Sequence, residues 1–74
     1  MTVNEFVNQM WYVTQIVVID EATNFDNIRD IEDLKKIAIW HGSVMSTMGE
    51  TFKKTGKRNV KRYGIMDNHM VIEV

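Results

Sequence analysis

The chain predicts an α+β fold: a short N-terminal helix, a three- or four-stranded and mainly antiparallel sheet, a second short helix on one face, and a C-terminal β-hairpin. Three observations lead there. The first residues carry apolar side chains at helical spacing behind a capping signal. A run of four aliphatics sits among β-branched residues, and the last fourteen residues alternate about an Asp-Asn turn.

Thr2 and Glu5 have the Thr-x-x-Glu spacing of a capping box, in which each side chain accepts a hydrogen bond from the other residue's amide. Val3, Phe6, Val7 and Met10 follow at i, i+3, i+4 and i+7, which predicts a helix over residues 3–10. Residues 13–20 predict a strand. Val13, Thr14 and the run Ile16-Val17-Val18-Ile19 are β-formers, and four consecutive aliphatics imply burial on both faces, as in a central strand. Trp11-Tyr12, at the helix-to-strand junction, is a candidate exposed aromatic edge.

Between residues 20 and 36, Asn24, Asp26 and Asn27 predict a loop, and Ile28, Ile31 and Leu34 a helical turn or two. Residues 37–44 read two ways. A helix would extend one stripe from Ile28 through Leu34, Ala38 and His41 to Met48. A strand would place alternate residues on opposite faces, with Gly42 at a bulge or turn, and the isoleucine and tryptophan content favours it. Ser46 or Thr47 then caps a short helix carrying Met48 and Phe52, which Gly56 ends in the C′ position. Around the turn Asp67-Asn68, the hairpin pairs Ile65 with Met70, Tyr63 with Ile72 and Lys61 with Val74. On its other face it pairs Met66 with His69, Gly64 with Val71 and Arg62 with Glu73.

At 74 residues the chain is one domain, 1–74, without repeat or linker. It has no cysteine, which excludes a disulfide scaffold, a redox thiol and a thiolate zinc site. The start lacks a basic signal region, and four aliphatics are far short of the roughly 20 that span a membrane. The expectation is a soluble, cytoplasmic protein. So short a chain hides only about 60% of its extended surface, so a homodimer or an obligate partner is expected to support it.

No catalytic constellation emerges. His41 and Ser43 lack the Gly-x-Ser-x-Gly context and a placed carboxylate, so they imply no hydrolase. His41, His69 and Asp67 lack the spacing of a metal site. Gly49 to Gly56-Lys57 has six intervening residues where a phosphate loop has four, and Arg58 stands where Ser or Thr holds magnesium. The reading is no enzyme, no metal and no cofactor.

Charge is the informative property. The net charge of -1 conceals two halves: residues 1–34 carry seven acids and one base, residues 35–74 eight bases and three acids. Lys53, Lys54, Lys57, Arg58, Lys61 and Arg62 crowd into ten residues without an acid. A solvated face is the leading account of them, ahead of a site for an acidic protein surface and of a nucleic-acid site with Tyr63 as a stacking ring. The acidic counterpart runs from Asp20 and Glu21 through Asp26 and Asp30 to Glu32 and Asp33. It reads as a solvated loop or a partner for the basic segment, with mimicry of a phosphate backbone as the alternative. The candidate contact residues are Asp26, Asp30, Asp33, Lys57, Arg58, Lys61 and Arg62.

Three stretches carry a resemblance: Met1-Thr2-Val3-Asn4-Glu5-Phe6, Ile39-Trp40-His41-Gly42-Ser43-Val44, and Val60-Lys61-Arg62-Tyr63 through Asp67-Asn68-His69-Met70-Val71-Ile72-Glu73-Val74. In them the chain resembles a loose group of small, uncharacterised proteins encoded by phages and prophages of Gram-positive bacteria. The match covers about half the chain, with no counterpart for residues 20–36 or for the basic stretch. It implies a phage accessory product that binds a host protein in the bacterial cytoplasm. An anti-CRISPR-like inhibitor of a host defence nuclease complex is its most concrete form. A small nucleic-acid-binding protein using residues 53–62, or a structural or assembly subunit, are the alternatives.

Overall fold

The computed structural model describes residues 1–9, 15–20 and 29–74. Along the chain lie α1 (Val3–Val7), β1 (Gln15–Ile19), α2 (Ile31–Ile37), β2 (Trp40–Ser43), two 3₁₀ turns (Met45–Met48 and Glu50–Phe52), α3 (Lys53–Gly56), β3 (Arg62–Met66) and β4 (His69–Glu73). The four strands make one sheet in the order β2-β1-β4-β3. β1 pairs antiparallel with β2 and parallel with β4, and β3 pairs antiparallel with β4. This is the expected α+β architecture.

β1 is central because its aliphatics have work on both faces. Ile16 and Val18 pack with Val3, Val7, Trp40, Phe52, Ile72 and Val74 on the side covered by α1 and α3. Val17 and Ile19 pack with Ile31 and Leu34 of α2 on the other side. Helices thus lie over both faces, α2 forming a layer beyond the second helix that the sequence predicts.

The capping box is present. The Glu5 carboxylate accepts from the Thr2 N–H at 2.9 Å, and the Glu5 N–H donates to the Thr2 hydroxyl at 3.2 Å. The helix is shorter than the apolar spacing predicts, ending at Val7, with Asn8 as its C-cap and the Gln9 N–H turning back to the Phe6 carbonyl. The Thr2 backbone N–H, and after it the Thr2 hydroxyl, hold the Glu5 carboxyl below the usual carboxylate value. A depressed carboxyl pKa adds stability that is complete above the unfolded value and is lost as pH falls through the folded one. Glu5→Gln is therefore expected to lower the urea midpoint at neutral pH and to converge with wild type in acid. A gap that stays constant with pH would contradict the assignment.

Residues 31–44 divide between the two readings. Asp30 caps α2, its carboxylate accepting from the Asp33 N–H at 3.0 Å, and the helix takes in Ile37, leaving only Trp40–Ser43 to the strand. Gly42 is no bulge: it faces Ile16 in regular register. A side chain there would meet the Trp40 indole at 3.0 Å, so glycine lets that ring lie along its own strand.

Neither Ser46 nor Thr47 is a helix cap. The Ser43 hydroxyl accepts from the Ser46 N–H at 3.3 Å, the Thr47 hydroxyl donates to the Val44 carbonyl at 2.6 Å, and two 3₁₀ turns carry the chain into α3. Gly56 is not a left-handed terminator either. It sits inside α3 without positive φ, buried, where a Cβ would meet Phe52 Cε1 at 3.0 Å and Asn4 Cβ at 3.3 Å. Its role is close approach between α3 and α1.

Five of the six expected hairpin pairs form, from Arg62–Glu73 to Met66–His69; the sixth, Lys61 with Val74, does not, because the Lys61 N–H donates to the Glu73 carbonyl at 2.8 Å and the Val74 N–H to the Ile19 carbonyl of β1 at 3.0 Å. Asp67 and Asn68 both take positive φ, 46° and 62°, as a two-residue type I′ turn requires. Met10, Val13, Thr14 and the Trp11-Tyr12 edge lie outside the described residues, as do Asn24, Asp26, Asn27 and Ile28.

Candidate functional site

The basic segment is held in place by the N-terminus. The Val3 N–H donates to the Arg58 carbonyl and the Val60 N–H to the Met1 carbonyl, each at 2.8 Å, with Thr2 facing Asn59 in an antiparallel bridge. Lys57 and Arg58 lead into this bridge, and Lys61 and Arg62 leave it for β3. A hollow of about 550 Å³ between α1 and α3 is lined in part by Asn4, Lys53, Gly56 and Lys57. A second, of about 640 Å³, lies where Lys61 and Arg62 approach Met1, Phe6 and Tyr63. The Phe6 and Tyr63 rings sit 4.8 Å apart. The cations therefore flank α1 on two sides instead of forming one stripe.

At least three of them hold acids within the fold. Lys53 pairs with Glu50 at 2.9 Å, and Arg58 reaches Asp20 at 3.6 Å. Arg62 holds Glu73 in a two-pronged contact, Nε to Oε2 at 3.0 Å and Nη2 to Oε1 at 2.8 Å. The first two are exposed pairs, of the kind that contributes little to stability. The third matters more, because Glu73 is buried and its carboxylate is matched by the planar guanidinium. Among the described residues no ion pair involves Lys54 or Lys57, and both side chains are exposed.

The acidic candidates have structural duties. Asp30 is the N-cap of α2, and Asp33 Oδ2 accepts from the Arg29 N–H at 3.2 Å, so the two carboxylates close the start of that helix reciprocally. Asp26 is outside the described residues. The Asp20–Arg58 contact joins the acidic and basic segments within one chain, a pairing that separation along the sequence had left open.

Among the described residues no reacting set comes together. Ser43 Oγ lies 3.0 Å from Ser46 Oγ, and the register partner of Ser43 is Gln15. His41 faces Val17 while His69 flanks Gln15, so the histidines stand on different rungs with β1 between their strands. Among the described residues no three His, Asp or Glu side chains converge as metal ligands. His69, the first residue after the turn, is not fully solvated. It is half-buried, its Nδ1 is 2.6 Å from the Asp67 carbonyl, and its Nε2 is buried without a partner. A carbonyl only accepts, so Nδ1 carries the proton and the ring serves the turn.

Sequence reasoning missed the exposed apolar surface of β3. Tyr63 is 66% exposed, Ile65 76% and Met66 36%, although their cross-strand partners are wholly or partly buried. Alternation across the hairpin identifies which residues share a face, but not that β3 is an edge strand of the sheet. No described helix is long and apolar enough to cross a membrane. Neither the family models nor the curated proteins nor the solved structures match the chain.

Proposed function

We propose that the chain is a non-enzymatic binding protein that occupies an acidic surface on a host protein, with Lys54 and Lys57 at the centre of the contact. One observation carries the choice of a protein over a nucleic acid. Three of the six clustered cations already hold Glu50, Asp20 and Glu73, so the segment presents a compact cationic spot and not a track of phosphate-neutralising charges. The phage-like ends support a host protein as target, and the most concrete form is an anti-CRISPR-like inhibitor acting on a defence nuclease complex in the bacterial cytoplasm.

The test compares wild type with Lys54→Glu/Lys57→Glu, whose side chains are exposed and hold no described ion pair. Quantitative affinity purification from host lysate is expected to yield a protein that wild type enriches and the charge-reversed chain loses. Adding the purified chain to that host's nuclease complex is expected to reduce cleavage. Oligonucleotide binding whose log affinity falls linearly with log salt, by about 0.9 per phosphate contact on duplex DNA, would instead establish the nucleic-acid reading.

A further inference from the structure

We infer that β3 is the docking edge for a second copy of this chain, pairing antiparallel about a two-fold axis at Gly64 to make a continuous eight-stranded sheet. The inference is independent of the cationic surface, since it concerns the backbone of β3.

The hairpin geometry decides which groups are available. In a two-residue turn, the residues flanking it exchange hydrogen bonds with each other, so Met66 and His69 form the closing pair. Pairs then alternate along the ladder, and Gly64–Val71 and Arg62–Glu73 are the next bonded ones. Tyr63 and Ile65 therefore direct their N–H and C=O groups away from β4, toward the side of this edge strand on which no described strand lies. Such an edge is a template for another strand. The same two residues carry the most exposed apolar side chains of that strand, at 66% and 76%.

The strand is complementary to itself in one register. Antiparallel pairing centred on Gly64 sets Tyr63 opposite Ile65 of the partner subunit, and Ile65 opposite the partner's Tyr63. All four outward-facing groups of each copy are then bonded. Shifting the axis to residue 63 or 65 leaves part of them pairing with residues outside β3. The central register also forms two aromatic–β-branched cross-strand pairs on one face, a favourable combination. The axis falls on the one residue without a side chain, and a Cβ at Gly64 would meet nothing within 4 Å. The glycine is thus not required by the packing of one chain.

That openness makes the test clean. In the paired state Gly64 and the partner's Gly64 form a non-bonded pair with Cα atoms about 4.5 Å apart. Wild type is expected to sediment at twice the chain mass at high concentration. Gly64→Lys, which sets two ammonium groups face to face at the axis, is expected to sediment as one chain with an unchanged circular dichroism spectrum, while Gly64→Ala keeps the dimer. Gly64→Cys is expected to form a covalent dimer in a glutathione redox buffer, because the separation suits a disulfide and the chain has no other cysteine. The exposed control Glu32→Cys is expected not to. Wild type remaining a single chain throughout, or Gly64→Cys cross-linking no faster than the control, overturns the pairing and leaves the edge to a foreign strand.

Discussion

Phe52→Ala is expected to leave little of the native population intact at modest denaturant. Phe52 is 2% exposed, its ring meets Trp40 edge-on with centroids 4.7 Å apart, and it lies under Gly56 where α3 approaches α1. It connects the 3₁₀ turns and α3 to the cluster formed by Val3, Val7, Ile16, Val18 and Ile72. Truncating a buried phenylalanine costs about 3–5 kcal/mol. A native chain holds roughly 0.05–0.15 kcal/mol per residue, on the order of 4–11 kcal/mol for one of this length. The loss is a large share of the total. Urea unfolding followed by tryptophan fluorescence measures it, and a change below about 1 kcal/mol would show that the α3 layer is not part of the core.

Leu34→Ala is expected to act differently, because it strikes the smaller cluster. Leu34 is 0% exposed and, with Ile31, attaches α2 to Val17 and Ile19. Seven residues cannot hold a helix in water on their own, so α2 depends on this attachment and on the Asp30 cap. The expected cost is about 2–5 kcal/mol, concentrated in residues 31–37. Hydrogen exchange is expected to show α2 amides losing protection while β1 and β4 retain theirs, the pattern of a locally opening unit. Equal loss throughout the sheet would mean that α2 belongs to the same cooperative unit as the main core.

The two substitutions also show how far a linear reading reaches. The hairpin register was legible because a two-residue turn and a period of two constrain immediate neighbours, from Met66–His69 out to Arg62–Glu73. The capping box was legible for the same reason, as was the burial of Ile16 to Ile19. Residues 31–44 were not, since Ile31, Leu34, Ala38 and His41 satisfy a helical stripe as well as Trp40 to Ser43 satisfy a strand. Gly42 and Gly56 misled because glycine marks turns and caps in sequence, whereas here both yield space to a ring, Trp40 in one case and Phe52 in the other. Of the candidate contact residues, Asp30 and Asp33 prove to close a helix start, and Arg58 and Arg62 to hold acids of their own chain.

By itself, then, the sequence determined the α+β class, the turn, the register of the last two strands and the centrality of β1. Each depends on residues adjacent along the chain or on the apolar content of a single segment. Only the tertiary structure decided that β1 and β4 run parallel, that β3 is an edge strand with Tyr63 and Ile65 exposed, and that Asp20 meets Arg58. Those outcomes depend on which distant segments share the free energy of one core, and neither local periodicity nor net charge encodes that choice.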